Sequence, residues 1–173
     1  MFQSYQEIEF VHKHQFQAGD VSPDLLRPWM TIRFIAVSYA VPQEYLFDAV
    51  GISPRRENSM ISIIRLNQQL GLGTQNGSPV ILDKIREAIL AYRENPVTTG
   101  LIERQVMGWM NIQYVANSTG IPAETFFEKI GIPVNGNAYI PLDVLSGKFH
   151  YPGGPRSLAQ DIQSIVDAQK KPQ

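Results

Sequence analysis

Two segments of this chain nearly repeat each other. Residues 29–52 read WMTIRFIAVSYAVPQEYLFDAVGI, and residues 109–132 read WMNIQYVANSTGIPAETFFEKIGI. The offset is 80 residues without a gap, and ten of the 24 positions are identical. Most other pairs are conservative, such as Phe34/Tyr114, Ile35/Val115, Val41/Ile121 and Leu46/Phe126. Self-similarity of this kind constrains a fold more than any local motif, because both copies must satisfy the same local physics.

That physics predicts a helix, a tight turn and a second helix. Thr31 and Asn111 are good N-caps, with side-chain oxygens that accept from the first free backbone N–H groups. Ile32, Ile35, Ala36 and Tyr39 follow at helical spacing as one apolar stripe. Ala36 and Ala40 become Ala116 and Gly120, small enough for a second helix to cross closely. Pro42 and Pro122 then start the second helices, since the missing N–H costs nothing at a helix start. Glu44 and Glu124 suit the positive end of the helix dipole. Leu46, Phe47 and Val50 form the second helix's buried face, and Gly51 and Gly131 end it.

The likeness continues more weakly through Met60–Leu70 and Tyr139–Phe149, at an offset of 79. Residues 71–78 and 150–156 read as polar, glycine-containing interhelical loops, flexible over Gly71–Gly77. An amphipathic helix closes each copy. One is expected over Pro79–Glu94, capped by Ser78, with Ile81, Leu82, Ile85, Ala88, Ile89 and Tyr92 inward. The other is expected over Leu158–Gln169, capped by Ser157, with Ile162, Ile165 and Val166 inward. The expected fold is therefore all-α, with two tandem helix-turn-helix-like repeats packed together. Residues 1–95 hold an N-terminal segment and the first unit, and 96–173 hold the second unit and a C-terminal helix. The short Asn95–Gly100 junction favours packed units over a flexible tether. At the N-terminus, Ser4–Glu7 resembles a capping box for a helix over Tyr5–Gln15, while the alternation Ile8, Phe10, His12 permits a strand.

Ile35-Ala36…Ala40-Val41-Pro42 and Val115-Ala116…Gly120-Ile121-Pro122 resemble the DNA-binding helix-turn-helix over about 20 residues each. The whole unit is more similar to a small helical module found at the ends of some bacterial membrane-bound redox proteins. The residues that carry this likeness are Met30, Thr31, Ile35, Ala36, Val41, Pro42, Glu44, Gly51, Ile52, Ile85, Arg86, Ala88 and Ile89. The resemblance implies the fold and assigns no chemistry.

A helix-turn-helix reads bases with Arg, Lys, Asn or Gln on its second helix. The candidate faces here are Gln43, Glu44, Phe47 and Asp48 in one copy, and Ala123, Glu124, Phe127 and Glu128 in the other. Four carboxylates and one donor, Gln43, oppose a phosphate backbone. The family pattern also wants an apolar residue where Ala49 and Lys129 stand. The chain has 15 Lys and Arg against 16 Asp and Glu, a net charge of -1, so no global field favours nucleic acid or anionic lipid. Arg55-Arg56 and Lys170-Lys171 read as solvated pairs.

Other chemistries fare no better. The absence of cysteine excludes disulfides and thiolate sites. His12 and His14 share a face only on a strand and lack a third ligand nearby; His150 is remote in sequence. Gly71–Gly77 follows a helix rather than the strand a phosphate loop needs. No nucleophile elbow occurs. Trp29 and Trp109 can clamp a ligand, but the plainer role is sealing the core beneath a helix start. No apolar run approaches the ~18 residues of a membrane span, and no signal peptide is visible, so the cytoplasm is the default location. The expectation is a non-enzymatic module without cofactor or metal that binds a protein partner or itself. Its candidate interaction surface is Gln43, Glu44, Phe47, Asp48, Glu124, Phe127 and Glu128. A DNA-binding transcriptional regulator is the alternative, and a small-molecule binder with its site between the repeats is the third reading.

Overall fold

The computed structural model describes residues 21–170, and these are mainly helical. The N-terminal segment, with His12 and His14, and residues 171–173 lie outside the described residues. A 3-10 turn at Pro23–Leu25 precedes α1 (Ile32–Tyr39) and α2 (Gln43–Val50). Then come α3 (Arg56–Ser59), α4 (Ile63–Leu70), a hairpin of β1 (Thr74–Gln75) and β2 (Ser78–Pro79), and α5 (Val80–Glu94). Beyond the junction lie α6 (Ile112–Thr119), α7 (Ala123–Ile130), α8 (Leu142–Lys148) and α9 (Gly154–Lys170).

Local signals set the helix pairs. Thr31 Oγ1 accepts from Phe34 N at 3.1 Å, and Asn111 Oδ1 accepts from Tyr114 N at 2.7 Å. Each first helix ends on a left-handed residue, Ala40 (φ 54°) or Gly120 (φ 78°). Pro42 and Pro122 stand one place earlier than expected, as extended N-caps rather than first helical residues. Ahead of each pair a methionine sulfur accepts a backbone N–H: Met30 Sδ from Arg27 N and Met110 Sδ from Met107 N, both at 3.4 Å.

Backbone bonds close each set of helices. Ile63 N donates to Met30 O at 2.7 Å, and Ile64 N to Pro28 O at 3.0 Å. Further along, Leu142 N donates to Met110 O at 2.8 Å, and Asp143 N to Gly108 O at 3.0 Å. Isolated antiparallel bridges join Thr31 to Ser62 and Asn111 to Pro141. Side chains then pack into one continuous apolar core that includes Ile35, Phe47, Ile85, Val115, Phe126 and Ile162. The six residues expected inward on α5 are its buried ones.

The structure corrects the sequence reading in three further places. The expected flexible loop at Gly71–Ser78 is a two-stranded hairpin, with Thr74 opposite Pro79 and Gln75 opposite Ser78. Its turn is Asn76-Gly77, both at positive φ, which is the favoured chemistry for a tight hairpin. Ser78 is in that hairpin and does not cap α5. The start of α5 is satisfied from another element instead: buried Asn67 of α4 accepts from Ile81 N at 3.0 Å and donates to Gly73 O at 2.8 Å. Finally, α9 begins at Gly154, so Ser157 lies inside the helix rather than at its cap.

Two stability predictions follow from the crossings. Ala36 is fully buried, so Ala36→Leu should destabilise by about 1–3 kcal/mol through overpacking. Urea denaturation reads the change. Gly120 combines φ 78° with Thr98 Oγ1 only 3.0 Å from where a Cβ would sit, whereas a Cβ at Gly51 (φ 75°) meets nothing. Gly120→Ala should therefore cost more than Gly51→Ala, whose loss is the left-handed strain alone, about 1–2 kcal/mol.

Candidate functional site

The α1–α2 pair and the α6–α7 pair meet along a seam that is polar although buried. Gln43, at the start of α2, is 1% exposed. Its Nε2 donates to Glu103 Oε1 at 2.9 Å and to the Tyr114 hydroxyl at 3.1 Å. Asn111 Nδ2 donates to Val37 O at 3.0 Å, and Asn117 Nδ2 to Ala40 O at 2.7 Å. These carbonyls stand at the end of α1, where helix carbonyls run short of internal donors, although Val37 O also accepts from Ala40 N at 3.2 Å. The Arg33 guanidinium lies 4.3 Å from the Trp109 ring centroid, over its face.

Charge and burial compete here. Burial pulls the Arg33 guanidinium below its ordinary pKa, while the Glu103 carboxylate pulls it back up. Burial, reinforced by Glu103, pushes the Tyr114 phenol well above its ordinary value, and the hydrogen bond from Gln43 acts in the opposite sense. Gln43 Oε1, Glu103 Oε2 and Ser118 Oγ are buried without a hydrogen-bonding protein partner. Each such group raises the cost of assembling the seam.

The expected interaction face divides. Gln43 belongs to the seam, and Phe47 and Phe127 are core residues at 0% and 1% exposure. All three are therefore withdrawn from any outward surface, because α2 and α7 are rolled so that these side chains point inward. Asp48, Glu124 and Glu128 are exposed and Glu44 is half-buried. Trp29 and Trp109 are both half-buried, each against an aromatic of its own first helix: Trp29–Phe34 at 5.5 Å and Trp109–Tyr114 at 6.4 Å.

Sequence reasoning missed Glu103, Tyr114, Asn117 and Arg33 as seam residues. A signal existed in the comparison of the two segments. Phe34 becomes Tyr114, Val37 becomes Asn117, and Ala123 stands where Gln43 does. A polar residue in one segment at a position buried and apolar in the other marks a contact that only one of them makes.

Several clefts open on the described surface. One of about 530 Å³ lies between residues 105–108 and α9, with Asp143, Arg156 and Gln163 in its wall. Another, about 330 Å³, lies where residues 96–98 pass over α6 and α7, with Gln113, Asn117, Gly120, Ala123 and Glu124 in its wall. Among the described residues no group of three or more His, Asp or Glu could hold a metal ion, and no helix is long and apolar enough to cross a membrane. No family model, no curated protein and no solved structure matches the chain.

Gln43→Ala should cost about 1–3 kcal/mol, because it strands the Glu103 carboxyl and the Tyr114 hydroxyl in a buried site. A double-mutant cycle with Tyr114→Phe should be non-additive, with a coupling of at least about 0.5 kcal/mol. Additive losses would mean the amide and the phenol act independently.

A second prediction concerns alkaline pH. Burial, aided by Tyr139 and Tyr45, raises Tyr92 to about 12. A phenol with a folded pKa above its unfolded one favours the fold while protonated. That contribution is whole below pH about 10 and disappears as pH rises to about 12. The urea midpoint should fall across this window, and Tyr92→Phe should make the fall shallower by about one proton.

Proposed function

We propose that the chain is a tandem of two pseudo-equivalent helical units, divided near residues 95 and 96, that acts as a non-enzymatic protein-interaction or assembly module. The observation that carries this reading is the seam. The α1–α2 face grips another helix pair through side-chain amides, end-of-helix carbonyls and an Arg–Trp stack, the same kinds of contact that hold protein to protein. Support for the tandem comes from the ungapped self-similarity and from hydrogen bonds that recur 79 or 80 residues apart, as at Met30/Met110 and Ile63/Leu142. The likeness to the small helical module at the ends of bacterial redox proteins agrees with this fold and adds no chemistry.

The DNA-binding reading loses its one base-reading donor, since Gln43 is spent within the seam. Exposed Arg55, Arg56 and Arg65 remain as cations away from the second-helix faces. Sedimentation velocity across a concentration series, beside fluorescence anisotropy with duplex DNA at low salt, tests the proposal. The expected result is protein self-association or a stable protein complex, with no sub-micromolar DNA binding. Tight duplex binding with a log-log salt slope near about -5, lost on reversing Arg55 and Arg56, overturns it.

A further inference from the structure

The seam has a direction. Arg33, Val37, Ala40 and Gln43 receive Trp109, Asn111, Asn117 and Tyr114 respectively. On the 80-residue equivalence just proposed, Arg33 meets the counterpart of Trp29, Val37 that of Thr31, Ala40 that of Val37, and Gln43 that of Phe34. Every receiving residue stands later in its unit than the residue it receives. A two-fold contact would pair each position with its exchange, whereas this order is head-to-tail, and a head-to-tail contact leaves one receiving face over on the last unit.

That face is open. The counterparts of the receiving residues are Gln113, Asn117, Gly120 and Ala123, and all four line the 330 Å³ cleft beside Thr98 and Glu124. Its floor is small, and at Gly120 a side chain would run into Thr98. The carbonyls of Asn117 and Gly120 end α6 as those of Val37 and Ala40 end α1, where amide donors seat in the first unit. Other features differ. Ala123 lacks the amide with which Gln43 holds Glu103 and Tyr114, and Gln113 lacks the cation that stacks on Trp109. Glu124 adds a carboxylate at the mouth. The cleft thus suits a donor-bearing occupant and not an acidic one.

We propose that this cleft docks a helix start from another polypeptide, one that carries an amide-bearing cap residue as Asn111 does. The inference rests on the tandem reading. The probe is a synthetic peptide of residues 107–120 of this chain, stapled on its solvent side to stay helical and titrated into the isotope-labelled full chain. Saturable NMR shifts at Thr98, Asn117, Gly120 and Glu124 are expected. Thr98→Trp, which fills the cleft from an exposed position, should weaken binding about tenfold or more. Glu124→Lys should weaken it too, and so should replacing the peptide's asparagine cap by alanine.

An absence of shifts at millimolar peptide, or binding indifferent to both chain variants, overturns the inference. A chain that ignores the peptide yet self-associates in sedimentation sinks the cleft alone and leaves the interaction reading in place. Tight, salt-sensitive DNA binding sinks that reading whatever the peptide does.

Discussion

Helices of eight residues do not persist alone in water, because one or two turns of hydrogen bonds do not offset the cost of nucleation. Here α1, α2, α4, α6 and α7 are each eight residues long. Their existence therefore depends on closure by other parts of the chain. The closure is short and backbone-made: Ile63 N to Met30 O in one half and Leu142 N to Met110 O in the other. These bonds hold the start of one helix beside the start of another, so that Ile32 and Ile63, or Ile112 and Leu142, are buried together. With the starts pinned, the small residues Ala36 and Ala116 let the crossings close.

The seam works on a different principle. Apolar burial is non-directional and tolerates many relative placements of two helix pairs. The amides of the seam do not, since a shift of one residue would part Gln43 from Glu103 and the Asn111 and Asn117 amide groups from the carbonyls of Val37 and Ala40. Losing such partners costs more than making them gains, so the polar seam selects one arrangement more than it adds stability.

The carboxylates of the second helices illustrate how one pattern can be read in two ways. On a helical wheel Gln43, Glu44, Phe47 and Asp48 lie close enough to form a face. In three dimensions the face is cut by the core: Phe47 and Gln43 turn inward, and Asp48 remains outside. Glu124 ends at the mouth of a cleft, a placement decided by the passage of residues 96–98 over α6.

Local features were legible in the chain. Caps at Thr31 and Asn111, left-handed ends at Gly51 and Gly131, and the inward residues of α5 all depend on neighbours within a turn or two, so spacing and residue type determined them. The Asn76-Gly77 pair carries a hairpin signal in the chain too, although glycine in a polar stretch equally suggests flexibility. Only the tertiary structure decided which helix start meets which helix end. Asn67 caps α5 from α4, Gln43 reaches Glu103 across 60 positions, and Asn111 reaches Val37 across 74. Such contacts depend on the relative placement of rigid pieces, and side-chain periodicity within one piece carries no information about where the next will lie.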